Sequence, residues 1–358
     1  MMETSARYAN LLEPSPLVDL FLQHPPVGFA CRLDRLGAPV FHTDFDLLTT
    51  LADDARAWLG RIPFYETWTR WLRFSTCFVG TTVTEYAPIP KDIPPKTLLE
   101  EFHKEHAAAP SLTIIKDLPD ASPLLSDEEN ALAARLAKEA QRRGFIAVQG
   151  QALAYVRIDF SAIDEYLARL SNSRRKDIRR KMKKREQLAL DVLRLGDARF
   201  ADQKFLDELY GMYLEVYEQS KTHFDLLSRE FFAALLQNND ISGVVFCYSH
   251  KNMLVGYNIC LTQNAMLIDK YIGFKYPIAR KLNLYFISWI VNIEFALKNG
   301  LELYIAGWTD PEVKASLGAD FTFTRHLVWV RNPLLRRILR FLRRFFEADK
   351  QVVGEGVK

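Results

Sequence analysis

The chain has 358 residues, 49% apolar and 25% charged, which excludes a wholly disordered polypeptide and supplies enough apolar side chains for one or two ordinary cores. Only 16 Gly and 16 Pro exclude collagen-like and low-complexity classes. The formal net charge of +3 is unevenly placed: residues 174–185 (RRKDIRRKMKKR) hold nine basic residues and one acid, and 331–344 (RNPLLRRILRFLRR) hold six arginines and no acid, so the remaining body is acidic.

In chain order, residues 1–24 read as a poorly packed lead-in punctuated by Pro14 and Pro16. Two short strands follow, FACRL and APVF, then a helical spacing at Phe45, Leu48, Leu51, Ala55 and Trp58. Phe74–Tyr86 reads as two strands broken at Gly80, and the prolines at 88, 90, 94 and 95 mark a loop. A helix over Thr97–His106, a strand in SLTIIKDL and a helix from Ser126 to Arg143 come next. The last opens on a capping-box spacing, Ser126 to Glu129, and stops at Gly144. A strand over Gly150–Asp159 closes the first half.

The second half opens with a short helix at Asp164–Leu170. Ser171-Asn172-Ser173 then caps a helix that carries the basic run. A strand at 188–195, an amphipathic helix at 200–218 and a helix at 229–237 lead into GVVFCYSH, MLVGYNICLT and AMLIDKYIGF. Two-residue polar breaks separate these three runs, as in an antiparallel meander. A long helix over about 282–298 follows, then strand LELYIAG, a short helix over 311–317, strand FTFTRHLVWV, and a helix starting near Pro333. The boundaries that result are a lead-in (1–24), a first domain (25–160), a second (161–332) and a basic amphipathic helix with a tail (333–358). The first half has a vaguer version of the second with the same kinds of element, although no residue-level repeat is visible.

The four cysteines (31, 77, 247 and 260) fit no zinc spacing and read as small buried hydrophobes in a reducing compartment. His103 and His106 lack further ligands nearby, so no metal is expected. The N-terminus shows no secretory pattern, and the most apolar stretch, Leu284–Leu297, is interrupted by Asn292 and Glu294 and is too short to span a bilayer. These features point to a cytoplasmic protein without a transmembrane segment. The basic amphipathic stretch 334–346 either docks on the protein's own body or makes a peripheral contact with the inner face of the membrane.

Three antiparallel strands followed by helix, strand, helix, strand resemble the GNAT superfamily of acyl-CoA N-acyltransferases, and most of all its FemAB-like branch. The likeness rests on LSNSRRKDIRRKMKK (170–184), DKYIGFKYPIARKLNLYF (269–286) and AGWTDPEVKASLGADFTFTRHLVWV (306–330), in that order. It implies an α/β fold of tandem GNAT-like domains, with mixed, mostly antiparallel sheets flanked by helices. It also implies transfer of an acyl group from acyl-CoA, or an aminoacyl group from aminoacyl-tRNA, to an amine acceptor in an envelope precursor or small metabolite. One departure bears on the donor. GNAT enzymes place an R/Q-x-x-G-x-G/A loop before the long helix, where backbone N–H groups cradle pyrophosphate. Here the same place reads Ala279-Arg280-Lys281-Leu282-Asn283-Leu284, without glycine.

The chemistry of amide-forming acyl transfer needs a base for the amine, a stabiliser for the oxyanion and an acid for the leaving group. Asp269 and Tyr271 stand two apart on one strand, where alternation puts them on one face and Lys270 on the other. Asp269 is the candidate base and Tyr271 the candidate acid, against the plainer readings of a surface carboxylate and a core-edge phenol. Lys314 matches, in the resemblance, a lysine facing the reaction centre and is the candidate oxyanion stabiliser, against the plainer reading of a solvated helix lysine. Asp310 reads as the N-cap of its helix. Arg280, Lys281 and Asn283, at the start of the long helix, are the candidate donor-phosphate contacts. Tyr276 and Tyr285 either wall the same pocket or belong to the core, with core the better reading for Tyr285. Arg174 and Arg175 begin the basic helix, which is a solvated face, a grip on the phosphates of CoA, tRNA or a lipid-linked precursor, or a duplex nucleic-acid site. Two readings from other classes compete: a non-catalytic GNAT-like module binding a phosphorylated precursor, and a membrane-surface or nucleic-acid adaptor built on the two basic elements.

Overall fold

The structure, a computed structural model, describes residues 7–46, 73–106, 111–220, 224–334 and 336–337. Most of the helical spacing expected after Phe45, and most of the amphipathic stretch 334–346, lie outside the described residues. The chain divides into two compact units: residues 1–11, 21–152 and 322–358 form the first, and residues 12–20 and 153–321 the second. The chain passes from one unit to the other at 11/12 and 20/21, in the N-terminal segment, and at 152/153 and 321/322, inside strands.

In the first unit, β1 (Tyr8–Ala9) pairs antiparallel with β5 (Ile89–Pro90). Strands β2 (Ala30–Leu33), β3 (Pro39–Asp46) and β4 (Arg73–Val79) form an antiparallel meander. β4 then pairs parallel with β6 (Leu112–Pro119), and β6 antiparallel with the C-terminal strand β13 (Asp320–Val330). Two helices supply apolar faces: α2 (Pro95–His106) brings Leu98, Leu99 and Phe102, and α3 (Asp127–Arg142) brings Ala133, Leu136, Ala137 and Ala140 at helical spacing. The predicted capping box is present, with the Glu129 N–H donating to Ser126 Oγ at 3.3 Å and the Ser126 N–H to Glu129 Oε2 at 3.1 Å.

Two expectations fail here. Residues 81–86 form bends and not a second strand. The Thr81 and Thr84 hydroxyls bond each other at 2.7 Å, and Thr81 Oγ1 accepts the Thr84 N–H, so local side-chain bonds displace a ladder. The lead-in is well packed: Tyr8, Ala9 and Leu12 are buried, as are Leu17, Val18 and Phe21 of α1 (Pro16–Gln23). Spaced apolar residues on a one-turn scale were enough to bury it despite the prolines.

In the second unit, β7 (Ile146–Arg157) supplies its last residues to pair antiparallel with β12 (Leu303–Gly307), and β12 lies parallel to β11 (Met266–Phe274). β11, β10 (Met253–Gln263), β9 (Gly243–His250) and β8 (Ala189–Arg194) complete an antiparallel run. One face is covered by α4 (Ile163–Ala168), α5 (Asn172–Met182) and the long helix α9 (Leu284–Lys298), which follows the single turn α8 (Ile278–Lys281). Helices α6 (Gln203–Gln219) and α7 (Arg229–Leu236) carry Tyr213, Phe231 and Phe232 to the other face, and α10 (Pro311–Ser316) follows β12.

Each unit therefore has a three-strand antiparallel meander, a parallel partner, and an antiparallel closing strand. The closing strand of the first unit is β13; that of the second is β7. This is the expected α/β class: tandem GNAT-like units with mixed, mostly antiparallel sheets flanked by helices.

Candidate active site

β11 and β12 are hydrogen-bonded only from Met266–Ile268 to Leu303–Ile305, and then part. On its other side β11 bulges. Cys260 of β10 faces Asp269 and Ile259 faces Tyr271, so Lys270 is the extra residue. On β12 the register slips between Ile305 and Gly307, and Gly307 has φ +79°. A Cβ placed on Gly307 would lie 3.8 Å from the Asp269 carbonyl oxygen and 3.9 Å from Lys314 Nζ. The parting of the strands thus brings the Asp269 backbone and the Lys314 ammonium to the same glycine.

Asp269 is partly buried. Its Oδ2 accepts hydrogen bonds from Asn292 Nδ2 at 2.9 Å and from the Tyr304 hydroxyl at 3.0 Å. Asn292 Oδ1 accepts from Asn258 Nδ2 at 3.0 Å, and Asn258 Oδ1 accepts from the Tyr248 hydroxyl at 3.1 Å. The other carboxylate oxygen, Oδ1, is closed to solvent and has no hydrogen-bond partner. Removal from water pushes the Asp269 carboxyl up to about 6, against the Tyr304 hydroxyl and the Lys314 charge, which hold it down. A carboxylate with one free oxygen and a pKa near 6 is suited to take the proton that an amine nitrogen sheds after it attacks a carbonyl.

Lys314 is only 4% exposed and follows Asp310, whose φ is +52°. Its helix is tied at the far end: the Tyr166 hydroxyl donates to the Leu317 carbonyl, and Trp289 Nε1 donates to the Tyr166 oxygen at 3.0 Å. Trp289 also packs edge-on against Tyr304, with centroids 5.1 Å apart. One stripe of α9, through Trp289 and Asn292, therefore fixes both the carboxylate and the helix that carries the ammonium.

Tyr271 does not join them. Its ring lies against Phe231 and Phe232 of α7, while Asp269 faces α9 and Tyr304. The bulge at Lys270 breaks the alternation on which the shared face depended, and Lys270 itself pairs with the buried Glu13 at 2.8 Å. Asp310 occupies the N-cap position, but its side chain makes no capping bond.

The donor-contact candidates are dispersed. Arg280 is exposed, lies over the Tyr276 ring at 4.8 Å and donates to Gln219 Oε1; Lys281 is exposed. Asn283 adopts φ +56° at the start of α9 without a side-chain cap. The N–H groups of Lys281, Leu282 and Asn283 donate to the carbonyls of Pro277, Ile278 and Arg280, so a local turn consumes the amides a phosphate nest would use. Tyr276 is half-buried, and its N–H donates to Glu215 Oε2 at 2.8 Å. On α5, Arg174 is exposed and half-buried Arg175 bonds Asn172. The inner side of the same helix meets α9, with Lys181 3.3 Å from the Phe286 ring centroid, while beyond its end Arg185 pairs with Glu294 at 2.7 Å.

Sequence reasoning missed Asn258, Tyr248 and Tyr304 and saw Asn292 only as a break in an apolar run. A lone amide inside an otherwise apolar strand or helix was the available signal, because a buried amide must find partners. Among the described residues no group of three or more His, Cys, Asp or Glu is placed to hold a metal ion, and no helix is long and apolar enough to cross a membrane.

The fold and this constellation define the class: an α/β protein of GNAT type with a carboxylate and an ammonium at the parting of its central strands. The family model described as FemAB-like, peptidoglycan biosynthesis/recognition, matches residues 95–357, and the chain belongs to that family. No curated protein matches it. Among solved structures, the C-terminal domain of a protein assigned as a lysylphosphatidylglycerol synthetase from Agrobacterium fabrum aligns with TM-score 0.55 at 9% identity, over 88% of this chain and 87% of that one. L-PGS from Bacillus licheniformis aligns with TM-score 0.54 at 11% identity over 93% and 96%. FemX aligns with TM-score 0.51 at 11% identity over 91% and 98%. At these identities the likeness establishes the fold.

Proposed function

We propose that the chain is an aminoacyltransferase that moves an aminoacyl group from aminoacyl-tRNA to a free amine of a cell-envelope precursor. The single observation that carries this reading is the meeting of Asp269 and Lys314 at the parting of β11 and β12. In the reaction the acceptor nitrogen attacks the ester carbonyl, and Asp269 takes the ammonium proton. Lys314 stabilises the oxyanion, and collapse of the tetrahedral intermediate breaks the ester C–O bond.

Two features support tRNA over acyl-CoA as donor. The Lys281, Leu282 and Asn283 amides before α9 are already bonded within their own turn, which removes three donors that a pyrophosphate nest would use. The exposed Arg174, Lys176, Lys183 and Lys184 have no acidic partner among the described residues and suit a phosphate backbone. Family membership points the same way.

A transfer assay tests the reading. The purified protein is given a radiolabelled mixture of aminoacyl-tRNAs, or labelled acetyl-CoA, with an amine-bearing peptidoglycan precursor. Amide product from the tRNA mixture, lost in Lys314→Ala, supports it. Product from acetyl-CoA alone transfers the reading to an acyl-CoA donor, and no product with either overturns it in favour of a non-catalytic module.

A further inference from the structure

The relocation of Tyr271 leaves the site without an acid for the departing oxygen, and one phenol on the same side of the sheet as Asp269 has no assigned work. Tyr285 lies in the first turn of α9, on the stripe that continues through Trp289 to Asn292, the residue bonded to Asp269. Side chains of a helix lean toward its N-terminus, so the ring leans toward the start of α9, away from Asn292. The turn beneath it is pinned, with Ser288 Oγ donating to the Tyr285 carbonyl at 3.0 Å. The Tyr285 hydroxyl is closed to solvent and has no hydrogen-bond partner. A buried hydroxyl without a partner costs free energy, which a bound substrate oxygen recovers. Burial pushes the phenol up, the Asp310 and Asp269 carboxylates add to the rise, and the hydroxyl stays protonated.

Resting on the acyl-transfer reading, we infer that Tyr285 is the proton donor to the leaving oxygen of the acyl donor. As the ester C–O bond breaks, the electron pair goes to the departing ribose oxygen, which takes the Tyr285 proton. The phenolate regains a proton from the Asp269 carboxylic acid formed in the attack step, through solvent. The acceptor, which enters as the free amine, has then lost one proton, the leaving alcohol has gained one, and both side chains return to their starting states.

The test is Tyr285→Phe in single-turnover transfer from aminoacyl-tRNA at saturating donor, with thermal unfolding measured in parallel. The expected result is a rate lower by about 100-fold, a donor KM within twofold of the parent, and an unfolding midpoint unchanged or slightly higher, because an unsatisfied hydroxyl is removed. A rate within threefold of the parent, a loss carried by KM, or a loss matched by a lower midpoint overturns the role of Tyr285 alone. A parent protein that transfers from no donor overturns this role together with the reading on which it rests.

Discussion

Asp269 and Tyr271, two residues apart on β11, lie on opposite faces of their sheet, because Lys270 between them is the extra residue of a bulge. One inserted residue turns a same-face pair into an opposite-face pair. It also turns the carboxylate toward Asn292 and Tyr304, at the point where β11 leaves β12.

This geometry separates two substitutions that the sequence would treat alike. Tyr271→Phe should keep aminoacyl transfer within about twofold of the parent, since its hydroxyl is buried against α7 without a partner. Lys314→Met, which fills the same buried space without the charge, should lower kcat by roughly 10²–10³-fold. Steady-state kinetics of the two variants side by side makes the comparison.

The Asp269 carboxyl, raised to about 6, sets a pH dependence. As base it must be ionised, so kcat/KM should rise as pH passes about 6. Tyr304→Phe removes a hydrogen bond to the ionised form and should move that limb to higher pH. Stability runs the other way. Between about pH 4 and 6 the folded state holds a proton that the unfolded state has released, so stability falls as pH rises through that window. Above it the buried charge costs at most about 3 kcal/mol. Asp269→Asn should therefore abolish transfer while raising the unfolding midpoint at pH 7.5, with no gain at pH 4. Calorimetric scans at the two pH values check this.

Gly307 stands in the left-handed region at φ +79°. Gly307→Ala should destabilise the fold by roughly 1 kcal/mol through backbone strain. Its methyl would also enter the space between the Asp269 carbonyl and Lys314 Nζ and lower transfer by more than that strain explains. Urea unfolding and a rate measurement on the same preparation separate the two effects.

The outer charges of α5 and of the turn that follows it give a binding prediction. Replacing Arg174, Lys176, Lys183 and Lys184 together by Ala should weaken tRNA binding without preference for sequence and flatten its salt dependence, as expected when phosphate contacts are removed. Filter binding across a series of KCl concentrations reads both quantities. The inner contacts, Lys181 on Phe286 and Arg185 with Glu294, are left intact, so the helix should keep its place.

The sequence by itself determined most of the second unit. Polar breaks at Lys251-Asn252 and Gln263-Asn264 set the meander, the Ser126–Glu129 spacing set a helix start in the first unit, and the order of elements carried the family likeness. These are local signals, written in turn chemistry and hydrophobic period. The burial of the lead-in and the assignment of β7 and β13 to their units came only with the tertiary structure, as did the Asn258–Asn292–Asp269–Tyr304 network. Each depends on residues far apart in the chain, and an alternating strand pattern carries no mark of where a bulge will fall. That one residue of slippage at Lys270 decided which face Asp269 serves.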